Sequence, residues 1–181
     1  MGEPTPPEPA LRLMAAFSRH ADALQWARET AIAAWGPIAL ESPVFDFAET
    51  DYYQATMGPG LGKTFFVFER LFDPAEMVET KLQTNHWEQQ YSAGAGQPEQ
   101  RPLNLDPGYI TNAKLLLAST KDYAHRIYLS QGIYAEVTLY FQERGWRDHR
   151  WTFPDYRRAD YQEFFTQARN YLRARQKQER R

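Results

Sequence analysis

HRIYLSQGIYAEVTLYF, residues 125–141, joins two runs rich in β-branched and aromatic residues through Ser130-Gln131-Gly132, and this arrangement reads as a β-hairpin. A three-residue loop with Gly132 in the left-handed position pairs Leu129 with Ile133 and Ile127 with Ala135 on one face. It places Tyr128 with Tyr134 and Arg126 with Glu136 on the other. A two-residue loop would set Ile127 against Glu136 and mix the faces, so the longer loop is the consistent choice. A hairpin here means an antiparallel sheet at the C-terminal end of the fold.

Working towards the N-terminus, LRLMAAF (residues 11–17) reads as a strand. Leu24, Ala27, Ala31 and Trp35 then recur at helical spacing and stop at Gly36-Pro37. IALESPVFDF (38–47) returns as an extended segment, with Pro43 placing it at an edge or bulge. TFFVFERLF (64–72) is a third strand, followed by the N-cap pair Asp73-Pro74 and a helix to about Tyr91. On that helix Val78, Leu82 and Asn85 share a face, with Glu88 one turn on. SAGAGQPEQ (92–100) is a mobile connection, LNL a strand, DPGY its turn, and KLLLAST either a strand or a buried helix. Tyr161, Phe164, Phe165, Ala168, Tyr171 and Leu172 mark a terminal helix with one apolar face.

The fold expected is α+β, a mostly antiparallel sheet with helices packed on one face. Ferredoxin-like β-α-β repeats occupy the first two thirds, and the hairpin and terminal helix complete it. A parallel doubly wound sheet needs more helices than remain. One globular domain over residues 11–175 is expected, between a proline-rich disordered tail (1–10) and a frayed basic tail (176–181).

The chain has 181 residues and no cysteine, which excludes disulfides, thiolate nucleophiles and Cys-ligated metals. Its N-terminus lacks the pattern of a signal peptide, and no run approaches the ~20 apolar residues of a membrane span. A cytoplasmic protein with no membrane association is the expectation. With a net charge of −2 the chain carries no global signature of nucleic-acid binding. From Arg169 to Arg181, however, six Lys/Arg stand against Glu179 alone. That basic helix end is either solvated or a place for RNA.

GPGLGKT (58–64) approaches the phosphate-binding G-x-x-x-x-G-K-[ST] motif and misses it by one residue, because the required first glycine falls at Met57. The lysine should also open a helix, yet TFFVFERLF is strand-like. Lys63 and Thr64 therefore have no phosphate role as a P-loop. A stronger candidate is the polar set formed by Asn104 and Asp106 with Arg126, Tyr128, Tyr134 and Glu136. An isolated Arg126–Glu136 pair on a wet sheet face would be worth at most ~1 kcal/mol. Two carboxylates, a guanidinium, an amide and two phenols on one face instead suit an oriented polar ligand, with Arg126 as anion clamp and Glu136 or Asp106 as general base. Asn85, Glu88 and Arg157 are candidates to join them. Mg²⁺ on Asp106, Glu136 and Glu88 is the one cation reading these residues allow. His20, His86 and His149 lack metal-ligand spacing, and His125 falls on the apolar side with Ile127. Asp51 to Tyr53 reads as loop packing or a lid.

NLDPGYI, the HRIYL and GIYAEVTLYF pair, WTFPDYR, DYYQATMGPGL and KLQTNHWE occur together in an order that resembles the domain-of-unknown-function 4416 family, from about Leu11 to Tyr171. Some members of that family carry the label "GTP-binding protein", but the resemblance implies no established activity. From the residues themselves, the expected function is a polar, aromatic-walled cleft for an anionic or nucleotide-like small molecule, with hydrolase or transferase chemistry as one outcome. The alternative is a non-enzymatic module that holds RNA or protein through exposed tyrosines and the basic helix.

Overall fold

A computed structural model describes residues 2–50 and 52–179 of the chain. Met1, Arg180, Arg181 and Asp51, the first residue of the lid reading, lie outside the described residues, as does the Glu179 side chain. The described elements run β1 (Ala10–Ser18), α1 (Ala21–Trp35), β2 (Ile38–Glu41), β3 (Phe45–Phe47), α2 (Gln54–Met57), β4 (Leu61–Phe72), α3 (Met77–Gly94), β5 (Asn104–Ile110), β6 (Lys114–Ser119), β7 (Ile127–Ser130), β8 (Ile133–Gln142), β9 (Gly145–Asp148) and α4 (Ala159–Glu179). The protein is α+β, with the described strands in one antiparallel sheet ordered β2-β4-β1-β5-β6-β8-β7. β3 extends β4, and β9 extends β8. Thus β1-α1-β2 straddles β4, and β4-α3-β5 straddles β1.

Alternation along β1 decides how the layers stack. Leu11, Leu13 and Ala15 face a core with Phe65, Val67 and the α4 residues Phe164, Phe165 and Leu172. Met14 and Ala16 face the opposite core, with Ala27 and Trp35 of α1 and Trp87 of α3. The expectation of helices on one face is therefore corrected: α1 and α3 cover one side and α4 the other. The central strands are apolar on both sides, as MAAF in β1 and FFVF in β4 announce, and an exposed second face would be costly.

The hairpin keeps its register by a different local route. Ile127 pairs with Ala135 and Tyr128 with Tyr134, but Ser130 pairs with Ile133, so the loop is the two residues Gln131 and Gly132. Both have positive φ, 51° and 75°, as a tight primed turn requires. Leu129 is the extra residue that restores the outer pairing. A second irregularity lies in β8, where Leu115 faces Leu139 but Leu116 faces Val137, leaving Thr138 as the surplus residue. Glu136 and Leu139, three apart, consequently share the α4 side of the sheet.

The segment read as a turn after LNL is instead strand: NLDPGYI forms β5 throughout. Pro107 lies opposite Met14 of β1, while pairing with β6 is confined to Gly108–Ile110 against Leu115–Leu117. On its β6 side Pro107 has no ladder to interrupt, which is where a strand tolerates proline. On α3 the buried stripe is Met77, Thr80, Lys81, Thr84, Trp87 and Tyr91, leaving Val78 and Leu82 half-buried beside it.

Candidate functional site

β5 and β6 separate beyond Gly108 and Leu117. β5 continues along β1 to Asn104 opposite Phe17, while β6 follows β8 to Ser119 opposite Tyr134. The wedge between them opens into a cavity of about 340 Å³. Directly paired residues share a face, so the pairs Phe17 with Lys63, Phe17 with Asn104 and Ala15 with Asp106 put all three polar side chains on the α4 side. Glu136 opposite Leu117 joins them from β8. The turn of Pro154–Arg157, just before α4, adds Asp155 and Tyr156. From the other side of the sheet Lys81 reaches through the wedge, donating to the Leu105 carbonyl at 2.8 Å and lying 3.4 Å from Asp106 Oδ1.

Two ion pairs are sealed into this wall. Lys63 Nζ donates to Asp155 Oδ2 at 2.7 Å and sits 4.6 Å from the Tyr156 ring and 4.8 Å from Phe47. Arg126 Nε donates to Glu136 Oε2 at 2.7 Å, and its Nη1 donates to Ser119 Oγ and the Lys121 carbonyl. Thr138 Oγ1 donates to the other Glu136 oxygen at 3.1 Å, and His125 Nε2 stands 3.4 Å from Oε2. The Arg126 and Glu136 side chains are 3% and 1% exposed, so the pair is no wet-surface contact. His125, expected on the apolar side, lies against this carboxylate and stacks on Trp151 at 5.4 Å. Glu136→Gln should cost about 1.5–3 kcal/mol by weakening a buried charge-assisted hydrogen bond, read from urea unfolding midpoints. An unchanged midpoint would show that Arg126 needs no counter-charge.

Asp106 differs from these carboxylates. Its side chain is 29% exposed, against 1% for Glu136 and 4% for Asp155. Burial resists its ionisation, but Lys81, Lys63 and Arg101 outweigh that and hold it below the usual aspartate range. Asn104, buried beside it, adds to that effect through its side-chain amide, although its Nδ2 makes no hydrogen bond of ordinary length among the described residues. Tyr53 adds an aromatic wall, its hydroxyl pushed up first by burial and then by Asp106. At the rim Lys121 Nζ donates to Tyr52 Oη at 2.6 Å.

Of the residues singled out from sequence, Asn85, Asn104, Asp106, Arg126 and Glu136 line the cavity. Tyr128 and Tyr134 do not; they stack edge-on at 5.3 Å further along the hairpin, beyond the wedge. Glu88 lies behind the wall, accepting from the Leu105 N–H at 2.7 Å and from Arg101, and burial pushes its carboxyl up. Arg157 points away, pairing with Asp148 and donating to the carbonyls of His149 and Arg150. The acidic trio considered for Mg²⁺ is thus divided among three cationic partners. No group of three His, Asp or Glu residues converges as a metal site among the described residues.

Lys63 of GPGLGKT reaches the site by another route than a phosphate loop. No helix follows it, because it lies inside β4, yet it lines the cavity by strand alternation. Lys81, Arg101, Lys121 and Asp155 went unmarked in the sequence reading. Lys81 carries no signal in the residue pattern, because the apolar spacing Val78, Leu82 marks a neighbouring face of α3 and the burial of the lysine is set by the sheet beneath.

A family model described as "Domain of unknown function (DUF4416)" matches residues 8–171. The chain belongs to this family. Among curated proteins and among solved structures, none matches. No helix among the described residues is long and apolar enough to cross a membrane.

Proposed function

We propose that this DUF4416 protein binds a small anionic organic molecule in the wedge between β5 and β6. The observation that carries the reading is the unequal commitment of the cavity's charges. Lys63 and Arg126 are neutralised at 2.7 Å by Asp155 and Glu136, whereas Lys121 has no carboxylate partner among the described residues and is left for a ligand's anionic group, and Asp106 keeps a partly open carboxylate for a ligand's donor. A cavity of about 340 Å³ falls at the lower end of the size usual for small-molecule sites, and aromatic rings around a few fixed polar groups are the usual lining. If the ligand is turned over by hydrolysis or group transfer, Asp106 is the group placed to accept its proton. The interaction-module reading has less support, because Arg169 at the start of the basic stretch is used in packing. Its guanidinium lies 3.6 Å over the Phe141 ring, and its Nε donates to the Asn112 carbonyl.

A thermal-shift screen with organic acids, sugar phosphates and nucleoside monophosphates tests the proposal, since a ligand of the native state raises the midpoint. At least one anion is expected to do so, with affinity reduced tenfold or more in Asp106→Asn. Asp106 titrates below the ordinary aspartate value of about 3.9, so its contribution should persist through mildly acid pH and fade only as pH falls below that value. An affinity that collapses between pH 7 and 5, with the ligand's own charge constant, would remove Asp106 from the site.

A further inference from the structure

Resting on that reading, we infer that the ligand is a hydroxylated organic anion, a polyol or sugar ring bearing one phosphate or carboxylate, which enters hydroxyl end first and leaves its charge at the rim. The wall is graded from rim to floor. The buried floor holds Lys63, Lys81, Asn104, Asp155 and Glu136. Its two shortest ion pairs are closed at 2.7 Å, and Lys81 shares its charge with Asp106 while donating to the Leu105 carbonyl. A ligand anion inserted there would meet carboxylates whose counter-charges are already taken. At the exposed rim Lys121 lines the cavity with no carboxylate partner among the described residues, its ammonium resting on the Tyr52 hydroxyl and ring. The charge of the ligand belongs beside Lys121.

The floor asks for something else. Asp106, held ionised and partly open, is an acceptor that needs an O–H or N–H donor from the ligand. Asn104, buried beside it, turns its amide towards the same carboxylate and helps hold it ionised, yet its Nδ2 makes no hydrogen bond of ordinary length among the described residues, so a group that both donates and accepts answers the two together. A hydroxyl does both. Tyr53 and Phe153 line the cavity as well, offering apolar rings to the C–H face of a polyol.

Matched probes separate the parts of this claim: glucose 6-phosphate, cyclohexylmethyl phosphate without the ring hydroxyls, glucose without the charge, and gluconate with a carboxylate in place of phosphate. Isothermal titration should give glucose 6-phosphate or gluconate at least tenfold tighter binding than either cyclohexylmethyl phosphate or glucose. The better of the two identifies the anionic group. Asp106→Asn should erase the advantage over cyclohexylmethyl phosphate, and Lys121→Met the advantage over glucose, each leaving the other preference in place. Equal binding of the hydroxylated and hydroxyl-free phosphates, with binding still confined to the cavity, overturns this inference and leaves the anion site standing. Absence of binding by every anion in the panel and in the wider screen overturns both. A Lys121→Met variant that keeps the full charge preference overturns the orientation.

Discussion

Lys63→Met is expected to destabilise the protein by about 3–5 kcal/mol, the cost of leaving a buried carboxylate without its counter-charge. Lys63 and Asp155 side chains are each 4% exposed and meet at 2.7 Å, so the few contacts left to cavity water do not make up for the lost ammonium. The methionine itself should pack well, because the ammonium is surrounded by the rings of Phe17, Phe47, Phe65 and Tyr156. The damage therefore comes from Asp155, and the double variant Lys63→Met/Asp155→Leu should recover most of the loss. Chemical denaturation of the two singles and the double measures this. A double variant as unstable as the sum of the singles would mean that packing, rather than charge, holds the pair. The site has a stake in the result, because Asp155 stands on the turn that starts α4 while Lys63 belongs to β4, so this contact ties α4's entry to the cavity wall.

Gly108→Ala is the other large effect, an expected loss of about 3–4 kcal/mol at the upper end of overpacking costs. Gly108 lies opposite Leu13 of β1 and Leu117 of β6. A Cβ there would collide with the Leu116 main-chain carbonyl oxygen, which cannot rotate away as a side chain would. Only the three pairs from Gly108 to Ile110 join β5 to β6, so forcing them apart extends the wedge through the sheet. Gly94→Ala, at the end of α3 with nothing within 4 Å of the added methyl, is the control and should be neutral or stabilising by up to about 1 kcal/mol. Urea midpoints decide it. A Gly108→Ala protein as stable as the Gly94→Ala control would mean that the seam can widen without cost.

The sequence by itself determined the local elements wherever one periodicity was uninterrupted. The α1 spacing from Leu24 to Trp35, the terminal helix and the outer register of the hairpin are consequences of which side chains can be buried together. It also denied GPGLGKT the form of a phosphate loop, since spacing and the strand-like residues that follow are local facts. Only the tertiary structure decided the rest, because each remaining question concerns distances between segments. Surplus residues at Leu129 and Thr138 altered strand alternation without any mark in residue type. Pro107 looked like a turn because proline is excluded from central ladders, and it became strand because β6 leaves β5 before reaching it. Lys81 resembled an ordinary helix lysine until the parting of those strands let it cross the sheet to Asp106. Arg126 and Glu136 were legible as partners, but their burial depended on the turn before α4 and the segment around Lys121 closing over them, and no pattern within the hairpin records that closure.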